Sequence, residues 1–256
     1  MSDFRNYQAQ TGARSAEVID QGLRTYMLKV YNLMGLGLAI TGVAAYLIAM
    51  LATTTDPAQA VGQFGNGIML TSLGVALYGS ALKWVVMLAP VALVFFLSFK
   101  IQSMSVSAAR TTFLVYAGLV GLSLSSILLL YTGQSVVQTF FVTAASFGAL
   151  SLYGYTTKRS LSAMGSFMMM GLFGLIIASL VNIFLQSSAM AFVISALGVV
   201  IFAGLTAYDT QKIKEMYFDG DGADTAGRKA IMGALTLYLD FINLFLFLLR
   251  FMGDRR

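Results

Sequence analysis

Two aspartates stand out because each interrupts or ends a long apolar stretch of the chain. Asp240 lies near the middle of one such stretch, and Asp209 ends the stretch before it. A carboxylate at the centre of a membrane helix costs about 2.5–3.5 kcal/mol on insertion scales, so its presence indicates a function. Two carboxyl groups brought close together do not both ionise readily, and they titrate as a unit that holds one proton over a range of pH. Once deprotonated, the pair attracts hard cations.

The composition restricts what else the chain can do. Hydrophobic residues make up 58% of the 256 positions and charged residues only 11%, against about 25% in soluble domains. Histidine and cysteine are both absent, which excludes disulfides, Cys/His zinc sites, cysteine nucleophiles and histidine triads. A pH response near neutrality must therefore come from carboxyl groups, since the usual histidine sensor is missing.

Long uncharged stretches predict an all-α integral membrane protein with seven spans. A bilayer core of about 30 Å requires roughly 20 apolar residues in a helix. The chain offers these stretches at Val30–Leu51, Trp84–Phe99, Thr111–Tyr131, Val136–Tyr155, Leu161–Leu185, Ala189–Tyr208 and Ile231–Leu249. The second stretch is short and is expected to extend back past Lys83. We predict one membrane domain over residues 30–256, preceded by a polar to amphipathic cytoplasmic segment over residues 1–29.

Two regions are less regular than the spans. Residues 15–29 have the composition of a short helix lying at a membrane surface, whereas the first dozen residues read equally well as a polar tail. Residues 52–82 open with a polar, turn-like run. The apolar stretch Ile68–Tyr78 is too short to span, which favours an interfacial segment or an early start of the second span.

The basic residues set the predicted orientation. With the N-terminus inside, the inner loops contain most of the lysines and arginines, as the positive-inside rule requires. These are Arg5, Arg14, Arg24, Lys29, Lys100, Arg110, Lys158, Arg159, Lys212, Lys214, Arg228 and Lys229. The net charge of +5 therefore indicates topology and not nucleic-acid binding. The C-terminal Arg250, Arg255 and Arg256 are the exception, because seven spans place them outside.

Helical spacing predicts that Asp240 faces protein or water. Thr236, Asp240, Asn243 and Arg250 follow one another at i, i+4, i+7 and i+14, which puts all four on one stripe of an otherwise apolar helix. Ca²⁺ takes about 6–8 oxygen ligands. Asp209, Asp240, Asn243, backbone carbonyls and water offer only a loose site, which suits ion transit better than storage. No catalytic residue and no cofactor is predicted.

Several segments resemble the Bax inhibitor-1 family of seven-span membrane proteins, specifically its bacterial members. The most specific are AGLTAYDTQKIKEMY and GALTLYLDFINLFLFLLR, which contain the two aspartates. The segments VFFLSFKI, GLSLSSI and SLYGYTTKR are also similar to that family. The resemblance extends from about Ala16 to the C-terminus and is weakest between Ala52 and Leu82.

The resemblance implies a bundle of six helices around a central seventh, in the bacterial inner membrane. It also implies a pH-sensitive calcium leak governed by Asp209 and Asp240. Eukaryotic relatives are associated with suppression of cell death and calcium release, and a bacterial relative with a membrane-bound ATP-dependent protease. Some members carry an acid and an arginine in the second span. In this chain the second span has no acid, and Lys100 stands at its inner end. If Lys100 held the aspartates in place of that arginine, it would do so as a point charge, because an ammonium group lacks the bidentate geometry of a guanidinium.

Three functions remain open at this level. The first is a calcium or cation leak channel in which protonation of the pair, or a basic partner, keeps the pore closed. The second is an interaction protein that modulates a membrane-bound protease or a membrane stress response, with Met1–Gln21 as its handle. The third and most remote is an intramembrane aspartyl protease. Tyr208-Asp209 fits the first motif of those enzymes, but the glycines expected before Asp240 are missing.

Overall fold

Seven long helices make up the computed structural model, which describes the backbone of residues 2–256 and the side chains of residues 20–65 and 67–256. All seven are long and apolar enough to cross a membrane, which confirms the predicted seven-span all-α fold. The helices are α1 (Ser2–Ala52), α2 (Leu82–Lys100), α3 (Val106–Leu130), α4 (Gly133–Thr156), α5 (Ser162–Leu185), α6 (Ser188–Glu215) and α7 (Ala223–Met252).

The first span begins earlier than its uncharged stretch. From Asp20 onward α1 continues without a break through Lys29 into the span, so residues 20–29 are not a separate surface helix. The reason is tertiary, because Tyr26 and Met27 are already buried in the main core. The side chains of residues 2–19, which include most of the predicted protease handle Met1–Gln21, lie outside the described part of the chain.

A small cap connects α1 to α2. Strand β1 (Gly62–Phe64) pairs antiparallel with β2 (Ile68–Leu70), and a short helical stretch follows over residues 72–79. Extended backbone at Ser80 then separates that stretch from α2. The predicted apolar stretch Ile68–Tyr78 is therefore part strand and part helix, and it is not an early start of the second span.

Helix α7 occupies the centre of the bundle, as the resemblance implied. It is the most buried of the seven spans, and it packs directly against α1, α3, α4 and α6. Tyr238 of α7 is fully buried, with its ring edge-on to Phe113 and Tyr116 of α3 and its hydroxyl hydrogen-bonded to Thr41 of α1 at 2.7 Å. Helix α2 packs mainly on α3, and α5, the least buried span, packs mainly on α6.

Contacts with the α3–α4 turn show where the C-terminus lies. The N–H of Thr132 donates to the carbonyl of Asp254, and the N–H of Arg256 donates to the carbonyl of Leu130. The guanidinium of Arg255 lies 5.8 Å from the ring centroid of Tyr131. The C-terminal residues therefore clamp the α3–α4 turn. They lie at the end of the bundle that an odd number of spans requires.

Candidate functional site

Asp209 lies inside a helix and not at its end. The sequence predicts that the sixth span stops near Tyr208, but α6 continues to Glu215. Glycine explains how this part of α6 reaches its neighbour. A Cβ on Gly154 of α4 would overlap the carbonyl oxygen of Ala207, so α4 can approach α6 closely only because that side chain is missing. Asp209 itself is half-buried and lies where α6 borders α5 and α7.

Asp240 is placed near the middle of α7 and is 5% exposed. Its neighbours on the same helix, Leu237, Tyr238 and Phe241, are buried in the main core. Among the described residues, no N–H or O–H donor reaches Oδ2 of Asp240. A buried oxygen without a donor is expensive, because an unsatisfied buried polar group costs about 1–3 kcal/mol and a charged one more. The position is therefore costly to the fold.

The structure brings the two predicted aspartates together. Asp209 and Asp240 line the same cavity, and their carboxyl groups lie close enough for the charge of one to act on the other. A hydrogen bond between two carboxyl groups requires a proton on one of them, since an ionised carboxylate is only an acceptor. The cation whose charge acts on Asp209 is Lys212, one helical turn further along α6. The pair is thus a two-carboxyl unit with one nearby lysine.

A cavity of about 550 Å³ borders this pair and is formed by α5, α6 and α7. Its polar lining consists of Asp209, Asp240, Thr236, Asn243 and Ser179. The remaining wall is apolar and comprises Met169, Leu172, Leu175, Ile176, Leu180, Ile183, Phe202, Leu205, Leu239 and Phe247. The predicted polar stripe therefore faces the cavity through three of its four members.

Arg250 and Lys100 do not join the site. Arg250 is exposed near the end of α7, where its guanidinium lies 5.8 Å from the ring of Phe247. It is ten residues beyond Asp240, or about 15 Å along the helix axis. Lys100 is exposed at the end of α2, and within the described residues no hydrogen bond or ion pair connects it to either aspartate. The cation whose charge acts on Asp209 is Lys212, and its Nζ lies 5.9 Å from the ring centroid of Tyr208.

Two groups of polar residues around Asp209 were missed in the sequence. Gln211 is buried, and its amide accepts from the N–H of Leu161 at 2.8 Å and donates to the carbonyl of Arg159 at 2.9 Å. It thereby fastens the α4–α5 turn to α6. The signal was available, since Gln211 lies in the Tyr-Asp-Thr-Gln segment, but an amide there reads equally well as part of a polar loop.

The second group is a chain of hydroxyls that joins three helices. Tyr31 of α1 hydrogen-bonds to Ser151 of α4 at 2.5 Å, and Ser151 hydrogen-bonds to Thr210 of α6 at 2.9 Å. Thr210 also donates to the carbonyl of Thr206. These contacts fix the helical turn that carries Asp209. No spacing in the sequence could have found them, because the three hydroxyls come from distant segments.

The site has too few ligands for a tightly bound metal. Among the side chains of residues 20–65 and 67–256, no group of three or more His, Cys, Asp or Glu residues lies together. Two carboxyl groups and the carbonyl oxygen of Asn243 fall short of the 6–8 oxygens that Ca²⁺ takes. A Ca²⁺ ion that reaches this cavity is therefore bound weakly.

Comparison with known proteins identifies the family. The family model described as inhibitor of apoptosis-promoting Bax1 matches residues 23–256. The chain belongs to the Bax inhibitor-1 family. The match covers all seven spans apart from the first residues of α1, and it includes both aspartates of the site.

Bacterial relatives match this chain along nearly its whole length. An uncharacterized protein of Rickettsia prowazekii is 51% identical over 241 residues, which cover 94% of each chain. An uncharacterized protein of Caulobacter vibrioides is 45% identical over 261 residues, which cover 100% of both. The inner membrane protein YbhL of Escherichia coli K12 is 46% identical over 237 residues, 92% of this chain and 94% of that one.

Proposed function

We propose that this Bax inhibitor-1 family protein is a cation leak channel, calcium-conducting, whose opening is governed by the protonation of Asp209 and Asp240. The observation that carries the proposal is the closeness of the two carboxyl groups, one of them buried with an oxygen that no donor from the described residues reaches. A purely structural polar contact would be expected to satisfy that oxygen.

The size of the electrostatic effect is sufficient for gating. With one shared proton, the pair carries one negative charge and a hydrogen bond connects α6 to α7. When the proton leaves, two like charges about 4 Å apart repel by about 4 kcal/mol at an effective dielectric constant of about 20. Because about 1.4 kcal/mol corresponds to a factor of ten, this repulsion shifts a closed–open equilibrium by roughly 10³-fold toward a state in which the helices separate.

The sign of the response follows from the same geometry. Low pH keeps the shared proton and the contact between α6 and α7, so the pathway is closed. High pH removes the proton, which loosens α7 and at the same time creates the negative charge that attracts Ca²⁺ as the transported ion. On α6 the charge of Lys212 acts on Asp209, and on α7 the uncharged Thr236 and Asn243 line the cavity beside the pair. The α5 wall contributes no titratable side chain.

Calcium efflux from liposomes tests the proposal. The purified chain should release entrapped Ca²⁺ faster at alkaline than at acidic pH, and Asp240→Asn should remove that pH dependence. The matched control is Asp224→Asn, which removes a carboxyl group from the exposed first turn of the same helix and should leave the flux unchanged. An equally pH-dependent flux in Asp240→Asn would rule out the mechanism.

We also propose the bacterial inner membrane as the location, with the N-terminus inside. The proposal is supported by the inner-membrane location of the Escherichia coli relative YbhL and by the excess of basic residues in the loops assigned to the inside. Since the chain has no cysteine, single cysteines report the sides directly. A membrane-impermeant maleimide added outside spheroplasts should label Ser188→Cys, at the first residue of α6 beside the α5–α6 turn, and not Ser160→Cys, in the α4–α5 turn. The reverse labelling would show the opposite orientation.

A further inference from the structure

The cavity beside the aspartates offers acceptors but almost no donors. The hydroxyl of Thr236 donates to the carbonyl of Met232, and the amide of Asn243 donates to the carbonyl of Leu239. The hydroxyl of Ser179, the remaining polar side chain in the wall, likewise donates within its own helix. The carboxyl oxygens and the amide oxygen of Asn243 remain as unused acceptors. A ligand that matches this lining is positively charged and accepts no hydrogen bond.

The rest of the wall suits an apolar ligand. Ten of the lining side chains are hydrophobic, and the rings of Phe202 and Phe247 stack with their centroids 5.7 Å apart. Aromatic faces attract organic cations at distances up to about 6 Å. The volume of about 550 Å³ lies within the 300–1,000 Å³ range typical of sites for drug-sized molecules. A bare divalent ion needs far less space and far more oxygen ligands.

The position of α5 gives such a ligand a route from the bilayer. Ile176, Leu180 and Ile183 line the cavity and are also 48%, 56% and 65% exposed on the lipid-facing surface of α5. Because α5 packs mainly against α6, its side chains that border the cavity also contact the hydrocarbon of the bilayer. Hydrated ions cannot use that border, whereas hydrophobic cations concentrate in membranes and can.

From these three observations we infer that the cavity between α5, α6 and α7 is a binding site for lipophilic organic cations, of the quaternary ammonium or phosphonium class. The cation pairs with the Asp209 and Asp240 carboxyl groups and is packed against the apolar wall. Protons compete for the same carboxyl groups. The site shares its aspartates with the proposed ion pathway, but it requires the α5 wall and does not require calcium flux.

Tetraphenylphosphonium binding to the full chain in lipid nanodiscs tests this inference. Binding should be saturable, at least tenfold tighter at alkaline than at acidic pH, and at least tenfold weaker in Asp240→Asn. Asp224→Asn is the charge control and should bind as the unchanged chain does. Non-saturable binding, or equal binding by Asp240→Asn, would overturn the inference.

A second pair of variants tests whether the α5 wall belongs to the binding site. Ile176→Trp fills the cavity from the peripheral helix α5. Ile177→Trp adds the same side chain at the next position, which is 62% exposed and does not line the cavity. Ile176→Trp should weaken tetraphenylphosphonium binding at least tenfold, whereas Ile177→Trp should change neither phosphonium binding nor pH-dependent calcium efflux. Equal binding by the two variants would contradict the site. A loss of calcium efflux in Asp240→Asn without any phosphonium binding to the unchanged chain would reject this inference and leave the channel proposal intact.

Discussion

The coupling free energy between Asp209 and Asp240 should change in sign and in size with pH. A double-mutant cycle measures that free energy. The variants are Asp209→Asn, Asp240→Asn and the combination of both. Asparagine keeps the shape of the side chain and removes its charge. The coupling free energy is the effect of the double substitution minus the sum of the two single effects, which isolates the pairwise interaction when the residues are in contact.

The expected magnitude follows from the closeness of the carboxyl groups. At a pH where both ionise, each single substitution relieves a repulsion of about 4 kcal/mol, and the second substitution has nothing further to relieve. Each single variant and the double variant should then exceed the unchanged chain in stability by similar amounts. At a pH where the pair holds one proton, the unchanged chain has a hydrogen bond in place of the repulsion. The coupling there should be about 1 kcal/mol and of the opposite sign.

The assay is the free energy of unfolding in mixed micelles, followed by helical circular dichroism as the denaturing detergent is increased, at about pH 5 and about pH 9. The control cycle combines Asp240→Asn with Asp224→Asn. Asp224 lies in the exposed first turn of α7, about 24 Å from Asp240 along the helix, which is beyond the range of screened charge interactions. A coupling that is the same at both pH values, or destabilisation by either asparagine at alkaline pH, would refute the reasoning.

Three further substitutions test the packing around the site. Gln211→Leu leaves two backbone groups of the α4–α5 turn without partners, so the free energy of unfolding should fall by about 2–4 kcal/mol, and hydrogen exchange should increase in that turn. Tyr238→Phe removes only the hydroxyl bonded to Thr41. Its cost should be about 1 kcal/mol in the same detergent titration, and a loss above about 3 kcal/mol would mean that the ring itself had moved. Lys229→Met breaks the 2.6 Å ion pair with Asp221 in the α6–α7 loop. A loss of about 1–3 kcal/mol is expected, and faster proteolysis of that loop should accompany it, whereas unchanged proteolysis would show that the pair does not order the loop.

The spans were predictable because the bilayer imposes a length and a polarity on every helix that crosses it. All seven were confirmed, but their ends were not, since burial against other helices determines where a helix stops. Helix α1 runs without a break from residues 20–29 into the uncharged stretch, and its neighbours already bury Tyr26 and Met27. Helix α6 continues past Asp209, and there the side chain of Gln211 hydrogen-bonds to the backbone of the α4–α5 turn.

Some residues of the candidate site could likewise be predicted from the sequence, and others could not. Asp209, Asp240, Thr236 and Asn243 could be selected from the sequence, because a polar group in an apolar helix is conspicuous at any position. Lys100 was selected on the family pattern and lies apart from the pair, whereas Lys212 is the cation that acts on Asp209. Spacing along one helix shows which side chains share a face, but it does not show which face of another helix lies opposite.

By itself, the sequence determined that the chain is a seven-span membrane protein, that it belongs to the family of its bacterial relatives, and that carboxyl groups alone are available for a pH response. These conclusions follow from composition, hydropathy and local motifs, which can be read without knowing how distant segments pack together. Only the tertiary structure decided that the two aspartates lie close together, that three hydroxyls join α1, α4 and α6 behind them, and that an apolar cavity opens beside them toward α5. Such contacts depend on how helices pack, and packing is set by shape complementarity between segments that are distant in the chain.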